Sequence, residues 1–262
     1  MEFKDKVVLI SGATGGMGKE IVKQLSTERC KLALFARREN KLKELAEKLS
    51  SEETQCIYKK CDVKNYNDVK DAVDFTVKKF GKIDVAILTA GILVPIPIET
   101  FDSKIIKESM DVNFIGYVYF IEHLLHIMKK QKSGTIAATS TLPDKRGVPG
   151  WGSYGASKAA ISWLMESLRS EGKQKYNINF ITIKPGSVST PMIEGFHRKG
   201  AITSEKAATR IINGIKNEKR VIQFPFYQVF PIRCSDLFPP IVYDGQDIEM
   251  LKGDGYPTVE EK

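Results

Sequence analysis

The chain has 262 residues, 42% of them hydrophobic and 27% charged, the balance of a soluble globular protein that can bury a sizeable core. Its 40 Lys and Arg against 32 Asp and Glu give a formal charge of +8, but the signs are interleaved and no long basic block occurs. Nucleic acid is therefore not an expected partner, and the mild positive field suits a phosphorylated ligand equally well.

Other classes are excluded on similar grounds. Cys30, Cys56, Cys61 and Cys234 form no C-x-x-C pair and no metal-ligand spacing, so reduced thiols in a cytoplasmic protein are expected. His123 and His126 stand three apart on a predicted helix, with only His197 besides, and no metal site is expected. The opening MEFKDKVV has no apolar signal core. No stretch reaches the roughly 18 apolar residues of a membrane span.

Along the chain, short β-branched runs at 6–11, 31–36, 55–60, 83–88, 134–139, 177–183 and 220–224 alternate with amphipathic segments such as NKLKELAEKLS (40–50). Near-continuously apolar strands between helices predict a parallel sheet covered on both faces. Right-handed crossovers then give an α/β, doubly wound Rossmann fold with seven strands. One domain is expected, its main body spanning residues 1–224. Residues 225–262 read as an irregular extension, because Pro225, Pro231, Pro239 and Pro240 rule out a continuous helix over 224–243. A membrane-surface patch, a subunit contact, a flap over a pocket and plain packing all remain open for it.

After the first strand comes SGATGGMGKEIVKQL (11–25), with glycines at 12, 15, 16 and 18. Glycine lets the chain turn sharply and lets backbone N–H groups approach a pyrophosphate at the helix N-terminus. Gly18 falls on the stripe of Ile21, Val22 and Leu25, where it allows the helix to close on the sheet. At the end of the second strand, the acid expected of an NAD site is replaced by Ala36, followed by Arg37 and Arg38. Guanidinium groups can grip a ribose 2′-phosphate, so NADP is preferred over NAD.

WGSYGASKAAIS (151–162) places Tyr154 and Lys158 one helical turn apart. Counting back from the apolar stripe at Ile161 puts both on the inward face, where an unpaired lysine is costly. A phenol of reference pKa about 10 is a poor base at neutral pH. A neighbouring ammonium stabilises its phenolate and so readies it for proton transfer at a carbonyl. By itself the pair could equally be a packed tyrosine beside a snorkelling lysine.

Together with the glycine turn and the Asn-x-x-Gly at 113–116, these motifs make residues 5–224 resemble the short-chain dehydrogenase/reductase family. The resemblance implies that Tyr154 donates or accepts the proton, that Lys158 lowers its pKa and holds the nicotinamide ribose, and that Asn113 steadies a water in the relay. It places Gly12, Thr14, Gly16, Met17, Gly18, Arg37 and Arg38 on the cofactor. Asp62 and Val63 fall in the adenine-contacting turn, Ala90 and Gly91 line the cofactor, and Val188 and Thr190 lie near the carboxamide. It also implies a homodimer or homotetramer.

Two departures from the family pattern stand out. The asparagine of the usual N-A-G is Thr89, which would weaken a central structural hydrogen bond. The substrate-orienting serine, thirteen residues before the tyrosine, is Thr141, with Ser140 one residue earlier. Neighbours in extended chain point oppositely, so one of the two faces the substrate, and Thr141 is favoured.

The expected activity is NADP(H)-dependent interconversion of an alcohol and a carbonyl. A nucleotide-sugar epimerase is the second enzyme reading, disfavoured by the little chain left after the seventh strand. A cofactor-sensing protein without turnover is the rival from another class. Residues 92–101, 142–152 and 190–200 are the expected walls of an apolar substrate pocket with basic edges.

Overall fold

The computed structural model of the protein describes residues 1–193 and 200–238. Its strands and helices follow the predicted alternation. First come β1 (Val7–Ser11), α1 (Gly16–Leu25), β2 (Lys31–Ala36), α2 (Glu39–Leu49), β3 (Cys56–Lys60) and α3 (Tyr66–Phe80). After β4 (Val85–Leu88) come α4 (Ser103–Met110), a π-helical turn Asp111–Ile115, and α5 (Gly116–Gln131). Then follow β5 (Gly134–Thr139), α6 (Gly152–Tyr176), β6 (Ile178–Pro185), and the short β7 (Val188–Ser189) and β8 (Ile202–Thr203). The described chain ends with α7 (Ser204–Lys216), β9 (Val221–Phe224) and α8 (Phe226–Ser235).

Seven parallel strands form one sheet in the order β3-β2-β1-β4-β5-β6-β9, while β7 and β8 pair separately. Alternation along β1 shows why both faces are apolar. Val8 and Ile10 pack with Ile21 and Leu25 of α1, Leu42 of α2 and Ile211 of α7. Leu9 packs on the other side with Val73 of α3, Phe120 of α5, and Ile161 and Met165 of α6. This is the doubly wound Rossmann architecture.

The strand order reverses between β1 and β4, and that reversal opens a crevice at the carboxyl ends of the strands. Ser11, Leu88, Thr139 and Pro185 end their strands on that side. No helix among the described residues is long and apolar enough to cross a membrane. No cluster of three metal-ligating side chains occurs among them either.

The tail departs from the irregular segment expected. Phe226–Ser235 is helical with Pro231 inside it. Pro231 removes the bond that its own N–H would have made and crowds the carbonyl one turn back, yet the helix of 10 residues runs through it. Residues 239–262 lie outside the described residues.

Gly18 packs as its place in the helical stripe implied. A Cβ there would collide with the Gly12 carbonyl oxygen and come within 3.0 Å of Thr89 Oγ1. The first is backbone and cannot swing aside. Gly18→Ala should therefore lower unfolding stability by about 2 kcal/mol in urea denaturation. Gly147→Ala, where a Cβ meets nothing within 4 Å, should leave the midpoint unchanged.

Candidate active site

Three loops from the ends of β1, β4 and β6 meet in the crevice. Gly12 turns the chain out of β1 with a φ of 72°, and a Cβ there would lie 2.6 Å from Ala90 N. A Cβ on Gly16 would lie 2.7 Å from Thr190 Cγ2, so the glycine turn faces the P-G loop directly. Glycine is required at both places because neighbouring chain occupies the space. The N-cap of α1 is Gly15, which makes no side-chain cap, and the first turn carries no acid. Its leading N–H groups are thus suited to an anion. Met17 packs partly buried against the core below, and Val188 is buried beside the loop.

The two arginines after β2 have separate fates. Arg38 is a strut of the glycine turn, its Nη2 donating to Thr14 O at 2.7 Å and to Thr14 Oγ1 at 3.1 Å. Arg37 is exposed and makes no hydrogen bond or ion pair among the described residues. On the far side, the Asp62 carboxylate accepts from Lys64 N at 3.1 Å. Val63 is buried where a Cβ on Gly116 would meet it at 2.9 Å.

Thr89 answers the first departure. Its hydroxyl donates to Ser11 O at 2.7 Å and so ties β4 to the end of β1. The buried Ser11 hydroxyl beside it has no partner among the described residues.

Tyr154 and Lys158 sit in the first two turns of α6, which begins at Gly152. Lys158 is buried, with Nζ donating to Thr139 O at 2.8 Å. The same Nζ lies 5.8 Å from the Tyr154 ring centroid and 5.2 Å from that of Tyr117. A Cβ on Gly91 would be 3.6 Å from it, so the amine borders the crevice. Burial pulls its pKa down from the ordinary 10.5 to about 7. Desolvation is the cause, with no carboxylate among the described residues close enough to offset it.

Asn113 braces this arrangement from the π-helical turn. Its Oδ1 accepts from Ile92 N at 2.8 Å. Its Nδ2 donates to Ile92 O and to Ser157 Oγ, both at 3.0 Å. Both amide hydrogens are therefore committed to protein groups, and a water could be held only through the second lone pair of Oδ1. The expected pocket walls are also joined: Ile96 N donates to Gly150 O at 2.7 Å and Ser153 Oγ to Val94 O at 3.0 Å. Residues 194–199 of the third wall, His197 among them, lie outside the described residues.

The two candidate hydroxyls point differently. Ser140 Oγ donates to Lys158 O at 2.7 Å and lies 2.7 Å from Ser162 Oγ. Ser162 in turn donates to Asp144 Oδ2 at 2.6 Å. Two hydroxyl protons thus serve three short contacts, and Ser140 has none left for a ligand. The Thr141 hydroxyl bonds to nothing among the described residues. Tyr117, Ser157, Ser162 and Asp144 are parts of the site that motif reading missed. The only signal for them was the run of small residues around Tyr154, and an aspartate in a loop read as pocket wall.

Comparison with known proteins agrees with this geometry. A family model described as short chain dehydrogenase matches residues 6–200. An uncharacterized oxidoreductase of Listeria innocua is 30% identical over 261 residues, covering 99% of each chain. Among solved structures, a short-chain dehydrogenase/reductase from Burkholderia phymatum in complex with NAD has a TM-score of 0.82 at 20% identity, covering 99% of this chain and 100% of that one. A variant of actinorhodin polyketide ketoreductase with NADPH has a TM-score of 0.75 at 21% identity, covering 84% of this chain and 94% of that one. On the family match and the full-length relative, the chain belongs to the short-chain dehydrogenase family of oxidoreductases.

Proposed function

We propose that the protein is an NADP(H)-dependent reductase of carbonyl compounds, acting equally as a dehydrogenase of the corresponding secondary alcohols. The observation that carries this reading is the buried Lys158 amine, which stands beside Tyr154 on one side and Gly91 on the other. A buried lysine with no carboxylate beside it among the described residues is a costly arrangement with little structural return.

The residues fit a nicotinamide dinucleotide. The Gly12–Gly18 turn and the N-terminus of α1 would hold its pyrophosphate, with Asp62, Val63, Ala90 and Gly91 along one flank and Val188 and Thr190 along the other. Arg37, without a protein partner among the described residues, would take the 2′-phosphate. Arg38 would act by stiffening the turn through Thr14. When bound, the dinucleotide supplies or accepts the hydride.

In the reducing direction, Thr141 donates a hydrogen bond to the carbonyl oxygen and orients it. Tyr154 donates the proton from its hydroxyl to that oxygen. Lys158, as ammonium, would stabilise the phenolate left behind and would hold the ribose hydroxyls of the dinucleotide. Asn113 keeps Ile92 and Ser157 in register beside it. Thr89, the departure that favours a non-catalytic reading, leaves the junction of β1 and β4 closed by its bond to Ser11 O.

Mixing protein and NADPH with a panel of aldehydes and ketones, including 4-nitrobenzaldehyde, tests the reading through loss of the reduced-nicotinamide absorbance. Tight binding with no consumption across the panel would contradict it and favour the sensor. Tyr154→Phe should lower kcat by about 10³-fold with cofactor binding kept, and comparable turnover would refute its role. Thr141→Ala should cost far more than Ser140→Ala in kcat/KM. Arg37→Asp should invert the preference for NADPH over NADH, and an unchanged ratio would remove Arg37 from the site.

The lysine also has a thermodynamic signature without ligand. Its folded pKa of about 7 lies below the ordinary 10.5, so between these values the unfolded chain binds more protons. For this group, stability rises with pH across that window and is lowest below it. Lys158→Met should therefore be more stable than the parent at pH 7, with the gap shrinking towards pH 10.5. Chemical denaturation across the series checks the sign.

A further inference from the structure

A buried cluster of charges lies just behind the candidate site, and no catalytic group proposed above belongs to it. At its centre is Asp144, whose side chain is 2% exposed. Its Oδ2 is 2.5 Å from Lys184 Nζ and accepts from Ser162 Oγ at 2.6 Å. Its Oδ1 accepts from both Nη1 and Nη2 of Arg233, each at 3.2 Å. Arg233 also donates to Asp236 Oδ2 at 2.8 Å and, through Nε, to Gln223 Oε1 at 2.9 Å. Arg146, in the same loop as Asp144, donates to Asp236 O at 3.1 Å and to Phe238 O. Lys184 and Arg233 balance the carboxylates of Asp144 and Asp236 at the centre, and Arg146 adds a third positive charge at the edge.

What the cluster touches matters more than its charge. Lys184 directly precedes the Pro185–Gly186 turn of the P-G loop. Asp144 lies three residues after Thr141, in a loop held by Leu142 N donating to Pro185 O at 2.8 Å. Ser162 belongs to α6, and through Ser140 the chain of contacts reaches the main-chain carbonyl of Lys158. Arg233 belongs to α8, the helix that replaces the irregular tail. One carboxylate thus joins the substrate-side loop, the P-G loop, the catalytic helix and the tail.

We infer that Asp144 is a positioning residue, and that through it Arg233 on α8 sets the placement of Thr141 and of the first turns of α6. The geometry supports coupling over simple adhesion. A tail that merely covered the sheet would need only apolar contacts. Here the tail completes the charge balance of a carboxylate whose other side-chain contacts run to α6, which bears Tyr154 and Lys158, and to the end of β6 just before the P-G loop. Removing Arg233 leaves Asp144 with Lys184 alone and frees it to shift with Ser162. Removing the Asp144 charge leaves the partly buried Lys184 and Arg233 without their shared anion, and the strain falls on the same segments.

The test uses the full chain and two readouts. In Arg233→Gln, amide hydrogen exchange over residues 153–162 should quicken by about tenfold, while residues 42–49 of α2 keep their protection. Turnover of 4-nitrobenzaldehyde with NADPH should lose about tenfold in kcat, with NADPH binding kept within about threefold. Arg233→Lys, which keeps the charge, should restore most of both. Asp144→Asn should be the more damaging variant, and adding Arg233→Gln to it should cost little more, because both act on one interaction. Exchange over 153–162 unchanged in folded Arg233→Gln would overturn the inference, as would additive losses in the double variant. Faster exchange with unchanged kcat would also overturn it, reducing the cluster to local adhesion. The kinetic arm rests on the proposed reductase activity. If the parent turns over no carbonyl, that proposal fails, while the exchange arm still decides whether α8 is coupled to α6.

Discussion

The site depends on one electrostatic arrangement, a lysine amine buried with no carboxylate among the described residues to neutralise it. Thr139 O accepts from the amine, and the Tyr117 and Tyr154 ring centroids lie 5.2 and 5.8 Å from it. In that setting the charged and neutral forms lie close in free energy at neutral pH, with the amine near 7. A group so poised responds to whatever negative or hydrogen-bonding partner enters the crevice. A fully satisfied ion pair there would be more stable and less responsive.

The fold makes this arrangement tolerable by committing nearby backbone and side chains to fixed positions. The strand ends hold it from below: Thr139 closes β5 and presents its carbonyl, while Tyr117 donates to Ala90 O at 2.7 Å beside β4. Asn113 clamps Ile92 to Ser157 from the π-helical turn. Behind these, the ion cluster around Asp144 anchors the loop that follows Thr141. Breaking one partner out of a buried ion cluster costs about 3–5 kcal/mol, far more than an exposed pair. Most other ion pairs here, such as Lys43–Glu47, are exposed and contribute little to rigidity.

The sheet and the crevice were legible in the sequence because both rest on local signals. Period and β-branching set the strands, and close packing demands glycine at 12, 16 and 18. Tyr154 and Lys158 stood out because large ionisable groups broke a run of small residues on an inward face. The rest depends on pairings across long separations. Asp144 meets Arg233 from 89 positions away, and nothing in the local composition of either announces the other. The same holds for Thr89, whose bond to Ser11 spans 78 positions. The prolines of 224–243 exclude a continuous helix over that stretch, and α8 stops at Ser235, but the short helix of 10 residues around Pro231 has no local signal of its own.

A crystal structure of the protein soaked with NADPH tests the central claim most directly. The account predicts Lys158 Nζ at about 3 Å from the nicotinamide ribose hydroxyls, with the Tyr154 hydroxyl turned to the same side of the nicotinamide ring. A dinucleotide bound with Lys158 still held only by Thr139 O, or with Tyr154 facing away from the ring, would contradict it.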